Sequence, residues 1–142
     1  MPKAQDIIQK LDMHPHPEGG WYRQTWIADV GDGVRPCGSA IYYLLEAGQK
    51  SHWHRIDSTE IWIFNAGAPL ILSLSSSDAG PIRDITLGPD ILAGQQAQAI
   101  VVVQEWQAAR STGDWTLVTC TVAPAFDFAG FHMAPNDWQP GD

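Results

Sequence analysis

Between Trp21 and Ala123 the chain is cut into short runs of β-branched and aromatic residues, most of them closed by Gly, Pro, Asp or Asn. Runs of this kind at 21–27, 39–46, 50–55, 59–65, 70–76, 82–87, 98–103 and 115–122 predict strands separated by turns. Many short strands at short intervals point to a β-sandwich or a barrel. One helix is expected, over residues 3–12, where Ala4, Ile7, Ile8 and Leu11 follow helical spacing. His14-Pro15-His16-Pro17 ends it, because proline cannot continue a helix and restricts the residue before it. Glu18-Gly19-Gly20 prolongs the break. The tail from Pro124 to Asp142 has no clear period, and its Phe126, Phe128, Phe131 and Trp138 are expected to pack it onto the strands. With 142 residues and no internal repeat or linker, the chain reads as a single domain, 1–142.

Charge narrows the partners. The formal net charge is −8, and no Lys/Arg cluster offsets it, so nucleic acid and anionic membrane surfaces are not expected ligands. No segment is long and apolar enough to span a bilayer, and the N-terminal residues lack the apolar core of a signal peptide. A soluble cytoplasmic protein is the expectation. Only 17% of residues are charged, against seven Trp, which suggests surface covered by a second subunit. Cys37 and Cys120 form no CxxC pair; each lies beside strand-like sequence and reads as a small buried hydrophobe.

The sharpest local signal is Ser51-His52-Trp53-His54. On a regular strand, residues two apart share a face, which would send His52 and His54 together and Trp53 away. Glu60 follows on the next strand, and a tight connection at Asp57-Ser58 would bring it beside the pair. Two imidazoles and a carboxylate form a recurrent set for iron, manganese, zinc or nickel with open positions. The pair alone is also compatible with structural or surface histidines. His14 and His16, in a Pro-rich turn, read as structural, and His132 as exposed. Tyr22 and Arg23 fall on opposite faces of one strand, so at most one lines a pocket; Tyr22 is a candidate proton donor. Glu18 either caps the pocket or pairs with an arginine. Trp62 and Phe64 share strand phase with Glu60 and are candidates for an apolar wall. Arg55 is placed just outside the histidine pair, to meet an anion or a carboxylate. Asp127, between two phenylalanines, is read as tying the tail down.

The stretch from Gly48 to Gly67 resembles the first motif of the cupins, a glycine followed by HxH, a glutamate and a second glycine. Three further blocks resemble the family known as DUF985 or Cupin 5: His14 through Arg23; His52-Trp53-His54-Arg55 through Glu60-Ile61-Trp62; and Thr121 through Phe128. That resemblance implies an all-β fold, a jelly-roll barrel (the cupin double-stranded β-helix) with a short N-terminal helix. It also implies a homodimer and a pocket in the barrel mouth. Cupins commonly hold a divalent metal through the HxH pair, the glutamate and a histidine of a second motif, which makes His52, His54, Glu60 and position 107 the implied ligands of Zn, Ni, Mn or Fe. Here Val102-Val103-Gln104-Glu105-Trp106-Gln107 replaces the Pro and Gly of that motif, and Gln107 stands where the histidine belongs. A glutamine carbonyl suits hard cations better than borderline ones.

Two functions remain open. One is an enzyme acting on a small polar, carbohydrate-like metabolite, as an isomerase, epimerase or oxygenase. In it His54, Glu60 and Tyr22 are the catalytic candidates, and Glu18, Arg55, Trp62, Trp106 and Gln107 touch the ligand. The other is a non-catalytic small-molecule-binding protein without a metal. A purely structural dimer is a third, weaker reading.

Overall fold

A computed structural model describes residues 2–142. Its single α-helix, α1, spans Ala4–Lys10. The strands are β1 (His14–Pro15), β2 (Trp21–Ile27), β3 (Ser39–Glu46), β4 (Lys50–Arg55), β5 (Thr59–Gly67), β6 (Leu70–Ser75), β7 (Arg83–Leu87), β8 (Gln98–Val101), β9 (Trp106–Ser111), β10 (Trp115–Ala123) and β11 (His132–Met133). They form two antiparallel sheets. One has six strands in the order β1-β2-β3-β10-β5-β8, the other five in the order β11-β4-β9-β6-β7. The expected all-β architecture is therefore the observed one.

Alternation along the strands explains how the sheets close on each other. Tyr43 and Leu45 of β3, Trp62 of β5, Leu72 and Leu74 of β6, Ala109 of β9 and Val118 and Cys120 of β10 make one buried cluster between the sheets. The opposite faces of β3 and β10 carry Leu44 and Leu117, paired directly across the ladder. These would be bare on the outer surface. The apolar stripe of α1 covers them, Ala4 and Ile8 packing with Met13, Leu44, Trp115 and Leu117. The helix thus works as a patch over one end of the six-stranded sheet. A third cluster, Trp53, Trp106 and Ala134 with Trp138 packed against it, fixes the tail to the outside of the five-stranded sheet.

Eight of the strands coincide with the sequence expectation to within about two residues at each end. Three were not foreseen: the two-residue β1 and β11, and β9. β9 reads Trp-Gln-Ala-Ala-Arg-Ser and has no apolar alternation, because the residue it turns inward at the centre is Gln107. Cys120 is buried as expected, whereas Cys37 is exposed. Asp127 is exposed, and its carboxylate accepts the N–H of Ala129, so it caps a local turn and makes no tie to the barrel. Among the described residues no helix is long and apolar enough to cross a membrane.

Leu72 is fully buried in the inter-sheet cluster. Leu72→Ala is expected to cost about 2–5 kcal/mol. Ile100→Ala, at a position 54% exposed, is expected to stay within about 0.5 kcal/mol. Urea denaturation of the two variants against the parent checks the contrast.

Candidate functional site

A break in the β4–β9 ladder decides what faces the barrel interior. Ser51 lies opposite Ala109 and His54 opposite Gln107, so three steps along β4 span two along β9. This bulge inserts one extra residue and reverses the phase of the strand. Ser51 and His54 consequently both turn inward. His52 turns outward, where its Nε2 sits 2.8 Å from the Pro135 carbonyl and its ring lines a surface groove with Lys50, Ser73 and Arg110. The expected convergence of His52 and His54 on one face is thus corrected: the period-two argument holds only for an unbroken ladder.

The bulge also holds the neighbouring loop. The backbone N–H of His52 donates to the Glu18 carbonyl at 3.1 Å, which docks the Glu18-Gly19-Gly20 turn on β4. The approach is close enough to need glycine. A Cβ on Gly19 would lie 2.1 Å from the Lys50 carbonyl oxygen and one on Gly20 2.7 Å from that of Leu44, and both residues have positive φ. The hydroxyl of buried Tyr43 donates to the Gly19 carbonyl from inside the barrel. Glu18 is thereby carried into the interior. Ser51 Oγ donates to its Oε1 at 2.8 Å, and His54 Nε2 stands 3.1 Å from its Oε2.

Glu18 and His54 line a cavity with Glu60, Cys120, Tyr22 and His16, and Ile41, Val122, Phe126 and exposed Phe128 supply its apolar lining toward the open side. The cavity volume is about 130 Å³, room for a small ligand only. Of the sequence candidates, His54, Glu60, Tyr22 and Glu18 line it. Glu18 meets a serine and a histidine here and no arginine. Arg23 points away and bonds the Leu11 carbonyl, leaving Tyr22 as the member of that pair in the cavity.

The remaining candidates fall elsewhere. Arg55 stacks over the Trp106 ring, 4.7 Å from its centroid, and the Trp106 indole donates to Asp78; both lie on the outer face, clustered with the tail. Trp62 is buried in the core behind the cavity wall. Its indole N–H donates to Gln107 Oε1 at 2.8 Å, and Gln107 Nε2 donates to Glu60 Oε1 at 2.9 Å. Gln107 therefore supports Glu60 from behind and does not itself face the cavity. His16 and Cys120, read from the sequence as structural, do face it. For His16 the available signal was its place two residues before Glu18, where its Nδ1 accepts the Glu18 N–H at 3.1 Å. For Cys120 it was strand phase with Val118 and Val122.

The four ligands implied for a divalent metal do not fit one here. His52 lies on the other side of the sheet. The carbonyl oxygen of Gln107 is taken by Trp62, and the glutamine offers Glu60 an N–H, which cannot ligate. Among the described residues no group of three or more His, Cys, Asp or Glu is arranged to hold a metal ion.

What the cavity floor does hold is an imidazole set against a carboxyl, 3.1 Å apart. His54 Nδ1 is 2.7 Å from the His52 carbonyl, which can only accept, so that nitrogen carries hydrogen. With Nδ1 protonated, His54 Nε2 is the nitrogen that faces Glu18 Oε2, and it carries a proton only when the imidazole is charged. Burial pushes the Glu18 carboxyl up, partly opposed by His16 and by the hydroxyls of Ser51 and Tyr43. Burial pushes His54 down against the pull of Glu60. Both shifts work against a charged His54 beside a charged Glu18. Glu60 is raised to about 7, first by burial and then by the charge of Glu18, against His54 and the Gln107 hydrogen bond. Burial also lowers His16 and raises the Cys120 thiol well above its ordinary value.

Two curved antiparallel sheets closed over a core, with a polar cluster at the floor of an open-mouthed cavity, define a cupin barrel. The chain belongs to the DUF985 family of that superfamily: the pattern described as Cupin superfamily (DUF985) matches residues 5–134. The chain is similar to protein SO0799 of Shewanella oneidensis, at 34% identity over 94% of this chain and 85% of that one, with a TM-score of 0.88. A hypothetical protein from Leishmania major is 28% identical over 94% of this chain and 88% of that one, at a TM-score of 0.82. Oxalate decarboxylase of B. subtilis shares the fold alone, with 9% identity over 87% of this chain and 31% of that one and a TM-score of 0.64. No curated protein matches the chain.

The shift of Glu60 has a measurable effect on stability. Below its ordinary value of 4.5 the folded and unfolded chains both hold the proton. As pH rises from there to about 7, the unfolded chain releases it first, and the folded state loses up to about 3 kcal/mol. Glu60→Gln removes this loss. Between pH 4 and pH 8 the stability of the variant relative to the parent is expected to rise by about that amount in urea denaturation. A difference that stays flat across this range would show that Glu60 ionises normally.

Proposed function

We propose that this protein is an acid–base enzyme that moves a proton on a small molecule bound in the barrel mouth, as an isomerase or epimerase does. The observation that carries the reading is the 3.1 Å contact of His54 Nε2 with Glu18 Oε2, whose far nitrogen is fixed by the His52 carbonyl. Its physical consequence is a donor and an acceptor that exchange roles without a net change in charge. Glu18 gives a proton to one atom of the substrate, while neutral His54 or Glu60 takes one from another. Glu60, at about 7, is half ionised near neutral pH, the condition under which a general base is most effective. Tyr22 is the further hydroxyl on the cavity wall, and Ser51 keeps Glu18 in place. No step in this scheme requires a metal.

A second reading, a binding protein without turnover, draws support from the neighbouring polar atoms that already satisfy Glu18, Glu60 and Gln107. Deuterium incorporation separates the two. Proton transfer at carbon exchanges substrate hydrogen with solvent, so a panel of small carbonyl, hydroxy and amino compounds in D₂O is expected to yield at least one that gains deuterium, seen by NMR. Glu18→Gln and His54→Ala are expected to lower that rate by about 100-fold or more, the usual scale for removing a general acid or base. Compounds that bind without ever exchanging would favour the second reading. The metal content of untagged protein, measured alongside, is expected to be far below one ion per chain.

A further inference from the structure

We infer that the cavity takes a small organic cation, a protonated amine carrying an aromatic or branched apolar body. The inference builds on the cavity as the working site and adds the chemical class of its ligand.

The first argument is the inventory of charge facing the cavity from each element around it. The turn before β2 supplies His16 and Glu18, β2 supplies Tyr22, β4 supplies His54, β5 supplies Glu60 and β10 supplies Cys120; Tyr43 of β3 stands against His16 and the Gly19 carbonyl. Two of these are carboxyls, and burial favours the uncharged form of both histidines. No Lys or Arg is among the cavity's lining residues. The arginines near it are committed elsewhere. Arg35 places both terminal nitrogens on the Asp57 carboxylate, one of them also reaching Ser58 and the Ala125 carbonyl, and its Nε on the same Ala125 carbonyl; Arg23 faces Leu11, and Arg55 lies on Trp106. An anionic ligand would enter a cavity that already tends to negative charge, with nothing to balance it. A cation would supply the missing partner and draw Glu60 into its ionised form.

The second argument is independent of charge. Phe128 is 63% exposed at the mouth, set edge-on to Phe126 with ring centroids 4.8 Å apart, and Ile41, Ile56 and Val122 complete the rim. The protein spends an exposed aromatic ring on this position, where it can cover the apolar part of a ligand whose polar end reaches the floor. Aromatic walls above carboxylates recognise an ammonium on a hydrocarbon body. Beyond the six groups named above, the lining is Gln24 and Ser39 against five apolar side chains, so a polyhydroxylated ligand would set most of its hydroxyls against hydrocarbon, which moves the expected substrate away from a carbohydrate.

The test is a matched series on the full chain by titration calorimetry: benzylamine, benzyl alcohol and benzoate, equal in shape and different in charge. Benzylamine is expected to bind at least tenfold more tightly than benzyl alcohol, with no binding by benzoate. Its affinity is expected to fall about tenfold between pH 8 and pH 6, as a Glu60 that titrates near 7 gains its proton. Glu60→Gln is expected to bring benzylamine down to the level of benzyl alcohol, and a urea denaturation curve of the variant shows that it is folded. A flat series, tighter binding of benzoate, no binding by any of the three, or binding of zinc chloride without any preference for the amine each overturns the inference. Deuterium exchange without amine preference removes this inference alone; amine preference without exchange removes the proton-transfer reading alone.

Discussion

The hydrogen bond from the His52 N–H to the Glu18 carbonyl is the contact on which the site depends. A bulged residue leaves its amide without a place in the ladder, and an unpartnered buried amide costs about 1–3 kcal/mol. The molecule resolves this by bringing another segment of chain to the bulge. That segment is the turn Glu18-Gly19-Gly20, and only glycine allows its backbone to lie so close to the carbonyls of β3 and β4. One defect in pairing thus does two things. It sends His54 inward and His52 outward, and it delivers a second carboxyl to the cavity that Glu60 alone would otherwise occupy. The approach of Glu18 to His54 follows from that geometry.

Much of this was legible in the residues, and the parts that were not share a cause. The strands were visible because alternation and turn residues report directly on a half-buried pleated surface. β9 escaped because a buried glutamine interrupts the alternation at its centre. His54, Glu60, Tyr22 and Glu18 were recognisable as residues that turn into the barrel, and all four line its cavity. The orientation of His52 was not recognisable, because a bulge is a property of a pair of strands and leaves no mark on the period of either one. His16 and Cys120 were hidden for a related reason. Each looks structural by itself and becomes part of a site only when the turn, β10 and β4 are brought together. Trp62 and Trp106 carried the opposite error, in that large aromatics near a motif suggest a pocket wall, whereas one fills the core and the other anchors the tail.

Gln107 shows how a single side chain alters the chemistry open to a fold. An imidazole at that position would present a lone pair toward the cavity. The glutamine presents an N–H, and its orientation is fixed, because the Trp62 indole can only donate and therefore claims the carbonyl end of the amide. Glu60 then has a donor behind it that favours its charged form, while burial and the charge of Glu18 outweigh that donor and raise the carboxyl to about 7. With His52 removed to the outside by the bulge, two of the four positions of a metal-holding cupin are converted, and the two conversions reinforce each other. Restoring a histidine at 107 alone would still leave His52 facing the wrong way.

The energetic cost of this arrangement bears on what it is for. A barrel of this size could close more stably on leucine or valine at positions 18, 54 and 60, since burying carboxyls and an imidazole lowers stability at the pH where they would ionise. The protein instead supports each of them with dedicated partners: Ser51 for Glu18, the His52 carbonyl for His54, and the Trp62–Gln107 chain for Glu60. Structural ion pairs do not need such support on the cavity side of a barrel, because water at an open mouth would serve them. Partners placed behind each group, on the side away from the cavity, fix orientation while leaving the front free. That division of labour is what a site requires when its groups must meet a ligand and trade protons with it, and it connects the bulge in β4 to the chemistry of the mouth.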